Sequence, residues 1–254
     1  MFDFRRDVVS APLGFAPDWP APAPVRALVT ERSGGVGDGR YATLNLATHV
    51  GDAAAAVAAN RARLRAALPS EPRWLEQVHG STVLDLDRQG SALPPADGAV
   101  TARAGTVCAV LTADCLPVLL CDRAGRRVGV AHAGWRGLLR GVLPAAVAAL
   151  DSDPSDLLAW LGPAIAPDAY EVGADVRDAY LAVDASAAAH FAPNGRGRWQ
   201  ADLYGLARAS LAAAGVAAVF GGDFCTFAES GRFFSHRREP PCGRMATLIW
   251  LAEK

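Results

Sequence analysis

Residues 112–137, TADCLPVLLCDRAGRRVGVAHAGWRG, hold a cysteine near one end and a histidine near the other. Between Cys115 and His132, residues 116–121 and 127–131 read as strands joined by the turn Asp122-Arg123-Ala124-Gly125. A hairpin turning about Arg123-Ala124 pairs residues whose numbers sum to about 247, as those of Cys115 and His132 do. Directly opposed residues share a face, with Cβ atoms about 5 Å apart. That separation suits two ligands of one transition metal. A slip of one residue would send them to opposite faces, so the expectation is sharp.

A third ligand must come from elsewhere. His79, in Gln77-Val78-His79-Gly80, sits at an expected strand end beside a glycine, where backbone can approach closely. Two imidazoles and a thiolate suit Zn²⁺, and three protein ligands leave a fourth position open, the pattern of catalytic zinc. A structural site would want a fourth Cys or His. The rival chemistry is a Cys115–His132 thiolate–imidazole nucleophile, with Asp114 beside it. It leaves His79 without a role. Asp114 itself reads as a proton carrier or as an orienter of the ligands, the orienter being favoured because a regular strand turns it to the opposite face. Cys108 and Cys121 read as small core hydrophobes, and His190 as a surface or helix-end residue. The glycines at 34–39 read as turns, since the phosphate-loop pattern with its lysine is absent.

These residues need a scaffold of strands and helices. Strands are expected at 26–30, 74–78, 83–86, 107–111, 157–161, 216–220 and 247–251, besides the hairpin. Helices are expected from an Asp52 cap to about Leu68, over 138–150 with a kink at Pro144, and over 174–181 and 203–214. Residues 1–24 are Pro-rich and irregular, with one short strand at most. No repeat or linker divides the chain, so one domain is expected over 1–254, α/β (α+β) in class, with mixed β-sheets sandwiched by helices.

The totals narrow the function. The chain has 254 residues and a formal net charge of −1, without a basic run, so a nucleic-acid partner lacks its electrostatic footprint. No apolar stretch reaches the length of a membrane span, and the N-terminus has no secretory signal. Five cysteines in a chain this long do not make a disulfide framework. A reduced, cytoplasmic protein is expected.

The segments TLNLATHVGD, QVHG, TADCLPVLL, AHAGWRG, GPAIAPDAYEVG, FFSHRRE and GRMATLIWL together resemble the laccase-domain family. Its members are described as multicopper polyphenol oxidoreductases, peptidoglycan editing factors, and purine nucleoside phosphorylases with adenosine deaminase activity. The resemblance spans about residues 30–251. It implies zinc at His79, Cys115 and His132, the trio already reached, and a single α/β domain. It also implies pocket-lining roles for Asn45, His49 and Arg61, and Gln77 of QVHG is grouped with them. Gly37 and Thr43 depart from the serines common in the family.

Three activities are then open. Phosphorolysis of purine nucleosides (adenosine, inosine, methylthioadenosine) needs a phosphate site, for which Arg61 and Arg136 offer guanidinium forks, and zinc-activated water would serve adenosine deamination. Phenol oxidation by a coupled copper cluster needs more imidazole than five histidines with no His-X-His pair supply, although Cu²⁺ could load a His₂Cys site. Hydrolytic editing of a peptidoglycan precursor could use the same open zinc. The favoured reading is a zinc-dependent phosphorylase with deaminase activity, acting on a small-molecule nucleoside and phosphate. The substrate choice comes from the resemblance. Oligomeric state and the roles of His236, Arg237 and Arg238 are left open.

Overall fold

The computed structural model describes residues 13–253. In chain order the strands are β1 (Gly14–Phe15), β2 (Val25–Thr30), β3 (Val83–Asp85), β4 (Gly98–Thr101), β5 (Cys108–Thr112), β6 (Leu116–Asp122), β7 (Val128–Ala133), β8 (Leu157–Leu161), β9 (Glu171–Val172), β10 (Phe191–Pro193), β11 (Trp199–Ala201), β12 (Ala218–Gly221) and β13 (Met245–Leu251). The α-helices are α1 (Ala54–Ala66), α2 (Trp135–Leu139), α3 (Val142–Ala149), α4 (Ala174–Leu181) and α5 (Leu203–Ala213).

One sheet runs β12-β8-β6-β7-β4-β3, with parallel pairs at its two edges and antiparallel pairs between. A second, antiparallel sheet runs β1-β2-β13-β5, and a small third runs β10-β11-β9. Side-chain alternation stacks these into layers. Leu119 and Cys121 of β6 and Val128 and Val130 of β7 meet Val110 and Ile249 between the two large sheets. Leu116, Val118 and Leu120 turn the other way, onto α3 and α5. On the far side, Ala109, Leu111 and Leu248 cover Leu64 of α1. Mixed sheets sandwiched by helices are what the sequence pattern implied. No helix of the described residues is long and apolar enough to cross a membrane.

Several local expectations shift for identifiable reasons. The β6–β7 hairpin pairs Pro117 with His132 and Leu116 with Ala133, two residues away from the expected register. Asp122 causes this: its Oδ1 accepts from the N–H groups of both Arg126 (2.7 Å) and Arg127 (2.9 Å), and Gly125 takes φ 64°. The turn is thereby centred one residue later. A slip of two preserves the face, so Cys115 and His132 stay on one side as diagonal neighbours. The segment expected as a strand at 74–78 is not one, for only Arg73 bridges to Cys108. The side chain of Gln77 replaces the ladder, accepting from Leu111 N (2.8 Å) and donating to Leu111 O (2.9 Å). The single helix expected over 138–150 is two, α2 and α3, broken at Gly141 with φ 83°. The ring of Pro144 would meet the carbonyl of Arg140 in a continuous helix. In the first turn of α3 it is tolerated. Asp52 is not the cap of α1, whose N-cap is Ala53; its Oδ2 accepts from Asn45 instead. The one short strand expected within the irregular N-terminal stretch is β1, and residues 1–12 of that stretch lie outside the described residues.

Candidate metal centre and cleft

Three chain segments converge where β6 begins and β7 ends. Cys115 precedes β6, His132 lies in β7 in alternation with Val128 and Val130, and His79 lies on the loop before β3. Their ligand atoms all lie within 4.8 Å of one another. Cys115 Sγ is 3.8 Å from His79 Nε2, and the two imidazoles meet edge-on with centroids 4.8 Å apart. Ligands at the corners of a zinc tetrahedron, with bonds of about 2.0–2.3 Å, stand roughly 3.3–3.8 Å apart, so the Cys115–His79 separation matches that spacing and the donor set fits a transition metal. A glycine makes the cradle: a Cβ on Gly134 would stand 2.8 Å from Cys115 Sγ and 3.2 Å from His79 Cδ2. The group could therefore hold a metal ion.

The carboxylate that organises this centre is Asp97. The β4–β7 register places it directly opposite His132, and it is fully buried. His132 donates from Nδ1 to Asp97 Oδ1 at 2.8 Å, which presents Nε2 to the ligand trio. The same carboxylate accepts from the backbone of Val78 (3.2 Å), His79 (2.9 Å) and Gly80 (2.6 Å). One side chain thus fixes one ligand's ring and another ligand's backbone, which turns through φ 57° at His79. Arg140 donates to His79 O at 3.1 Å from the other side. Sequence reasoning misses Asp97; no motif precedes it, and only its cross-strand position reveals it.

Asp114 does not orient the ligands. Its oxygens accept from Thr226 Oγ1 (2.6 Å) and Arg237 N (2.6 Å), tying down the loops that close the site.

The electrostatics set Cys115 apart from its neighbours. Burial would raise its thiol, but His132 and His79 beside it bring it down to about 6. Burial would likewise lower His132, yet the Cys115 thiolate and Asp97 lift it to about 9. Cys108 and Cys121 have no such partners, and burial pushes Cys121 up to about 12 and Cys108 further. They behave as the core residues expected.

The trio floors a cleft of about 840 Å³. His49, Arg61, Gln77 and Arg136 of the expected set line it, together with His236, whose role the sequence pattern leaves open between a substrate contact and a loop residue, and with Arg244, Trp74 and Glu76, to which it assigns none. Arg61 is held by Leu46 O (2.9 Å) and lies over Trp74 at 4.3 Å. Arg136 lies over Trp135 at 4.3 Å. His49 is kept below the usual imidazole range by burial and by the charges of Arg244 and Arg61. Asn45 is fully buried and does not line the cleft. It accepts from Ala47 N and Arg244 N, and donates to Ala47 O and Asp52, so it positions Arg244. His190 ends a 3-10 helix away from the trio. Arg238 is spent on the carbonyls of Thr226, Phe227 and Phe233.

The family model described as "Multi-copper polyphenol oxidoreductase laccase" matches residues 26–252. A Pseudomonas aeruginosa protein named purine nucleoside phosphorylase PA4543 is 53% identical, over 93% of this chain and 98% of its own length. An Escherichia coli K12 protein named purine nucleoside phosphorylase YfiH is also 53% identical, over 92% and 97%. The crystal structure of Neisseria meningitidis protein NMB0706 superposes with a TM-score of 0.91 at 48% identity, covering 95% of this chain and all of that one. This chain belongs to the multi-copper polyphenol oxidoreductase laccase family, also known by its YfiH-type members.

Proposed function

We propose that the protein is a zinc-dependent purine nucleoside phosphorylase, acting on adenosine, inosine and methylthioadenosine, with adenosine deaminase activity. The observation that carries this reading is the convergence of Arg61, Arg136 and Arg244 on the cleft floored by His79, Cys115 and His132. Guanidinium forks match phosphate oxygens, and the relatives named purine nucleoside phosphorylase cover nearly the whole chain.

In phosphorolysis a phosphate oxygen bonds to C1′ of the ribose while the C1′–N9 bond breaks. Its electron pair passes to the purine, which takes up a proton. The arginines hold the phosphate dianion against C1′ and offset the repulsion of an anionic nucleophile. Arg61 is preset for this by Leu46 O and Trp74, while Asn45 fixes the backbone of Arg244 and the carbonyls of Cys242 and Gly243 hold its guanidinium. His49, neutral beside two guanidiniums, offers both a donor and an acceptor to ribose or phosphate. Zinc, held by His79, Cys115 and His132, would supply Lewis-acid activation of water for exchange of the adenine amino group with release of ammonia. Asp97 keeps His132 in the tautomer that such a site requires.

The test is to purify the protein without added metal, count zinc and copper per chain, and assay hypoxanthine release from inosine with and without phosphate. About one zinc per chain, lost with phosphorolysis in Cys115→Ala and His132→Ala, is expected. Zinc retained in Cys115→Ala would remove the three-ligand site. Zinc present without base release from any purine nucleoside would refute the phosphorylase and favour hydrolysis of a cell-wall precursor.

A further inference from the structure

A second, smaller cleft of about 210 Å³ opens beside His79 and Cys115. It shares His79, Cys115, Arg136 and His236 with the large cleft, so the two are lobes of one site. Their walls differ in kind. The large lobe has Arg61, Arg244 and His49. The small one has Trp135, Ile165, Tyr170 and Leu203, and its added charges are Asp114 and Arg237, which bond each other's loops.

The small lobe is built rigidly. Ile165 donates its N–H to Asp114 O at 3.0 Å. Tyr170 O accepts from Ala201 N at 2.9 Å, and Arg237 lies over the Tyr170 ring at 5.3 Å while donating to Glu171 O. Trp135 O accepts from Tyr180 at 2.7 Å. Leu203 starts α5 beneath the Asp202 cap. Four elements thus present apolar and aromatic surface without needing to move.

We infer that this lobe is the purine subsite: the planar base enters among Trp135, Ile165, Tyr170 and Leu203, while the phosphate lies with Arg61 and Arg244. The inference deepens the phosphorylase reading and rests on it. Charge decides the orientation. A phosphate dianion in the small lobe would face the Asp114 carboxylate and apolar walls, with Arg136, shared between the lobes, and Arg237, bonded to Glu171 O, as its guanidiniums, whereas the large lobe adds Arg61 and Arg244 to Arg136. A base gains from desolvation and from stacking on aromatic rings. The lobe is smaller than the roughly 300–1,000 Å³ of whole-ligand pockets, as suits one fused ring whose ribose continues across the trio toward the arginines.

The experiment compares Tyr170→Ala, Tyr170→Leu and Tyr170→Phe with the unaltered protein. The readouts are KM for inosine, KM for phosphate, bound zinc, and Kd of free hypoxanthine by calorimetry. Tyr170→Ala is expected to raise KM for inosine and Kd for hypoxanthine on the order of ten-fold or more, from the strength of base–aromatic stacking, with KM for phosphate and zinc content unchanged. Tyr170→Phe keeps the ring and is expected to stay within about two-fold on the same scale. Tyr170→Leu keeps apolar volume and folding without the ring, and is expected to follow the alanine variant. A KM effect on phosphate alone, or unchanged hypoxanthine binding in both ring-less variants, would overturn the assignment while leaving phosphorolysis standing. Hypoxanthine binding lost with Tyr170 in a protein that performs no phosphorolysis would uphold the subsite and refute the phosphorylase reading.

Discussion

Replacing Asp97 by Asn changes one atom and should weaken the metal centre without removing a ligand. The native carboxylate accepts four hydrogen bonds, one from His132 Nδ1 and three from the backbone of residues 78–80. Burial alone would raise its pKa, but the bond from His132 and those from the backbone keep it below the ordinary carboxylate value, so it is charged at neutral pH. An asparagine amide offers one acceptor oxygen. With that oxygen toward His132, the NH₂ group faces the N–H groups of Val78 and Gly80. Each orphaned buried donor costs about 1–3 kcal/mol, and the His79 loop loosens. With the amide reversed, the NH₂ group faces His132 Nδ1 and favours the tautomer protonated on Nε2, which cannot ligate. Either way zinc affinity should fall about 10–100-fold, or roughly 1.4–2.7 kcal/mol. Competition against a chromophoric chelator measures the affinity, and thermal melting with and without zinc separates it from folding. A folded Asp97→Asn protein that binds zinc as tightly as the native one would refute the claim that this carboxylate organises the centre.

Gly134→Ala should abolish metal binding and keep the fold, because the new methyl would intrude on Cys115 Sγ and His79 at the tip of β7; metal counting together with a circular-dichroism melt decides it. In the metal-free protein, His132 contributes stability that is complete below its unfolded pKa of 6.5 and lost as pH rises through about 9. Cys115 contributes stability that is complete above its unfolded pKa of 9.0 and lost as pH falls through about 6. Their ion pair therefore acts between about 6 and about 9. Zinc entering in that window should expel the His132 proton, with Cys115 adding a second below about 6, and calorimetry in buffers of different ionisation heat should show this release and its growth at lower pH. Arg244→Ala should raise KM for phosphate on the order of ten-fold with bound zinc unchanged, through loss of one charge-assisted contact. An effect confined to KM for inosine would count against the phosphate lobe.

Much of the centre is legible in local spacing alone. The hairpin pattern puts Cys115 and His132 on one face, and the face survives because the register error is two residues, an even number. His79 is legible as the histidine next to a glycine at an expected strand end. The layered fold follows from apolar runs at 107–111, 116–121 and 157–161, each buried on both sides as such runs require. Short strands such as β9, β10 and β11 carry too little pattern to be read, and the Gln77 segment imitates a strand through a side chain.

Residue types and their local periodicity are enough to establish the chemistry available: two imidazoles, a thiolate and several guanidiniums, with Cys115 and His132 sharing a face. Which distant groups meet them is a matter of tertiary packing. Asp97 rather than the adjacent Asp114 orients His132, because the β4–β7 register sets it opposite, while the left-handed backbone at Asp114 (φ 85°) turns that carboxylate toward Thr226 and Arg237. Arg244 joins Arg61 and Arg136 in one cleft, and Asn45 holds it there from the interior. Such pairings depend on strand order across a sheet, and strand order is a property of the whole packed chain that no local spacing encodes.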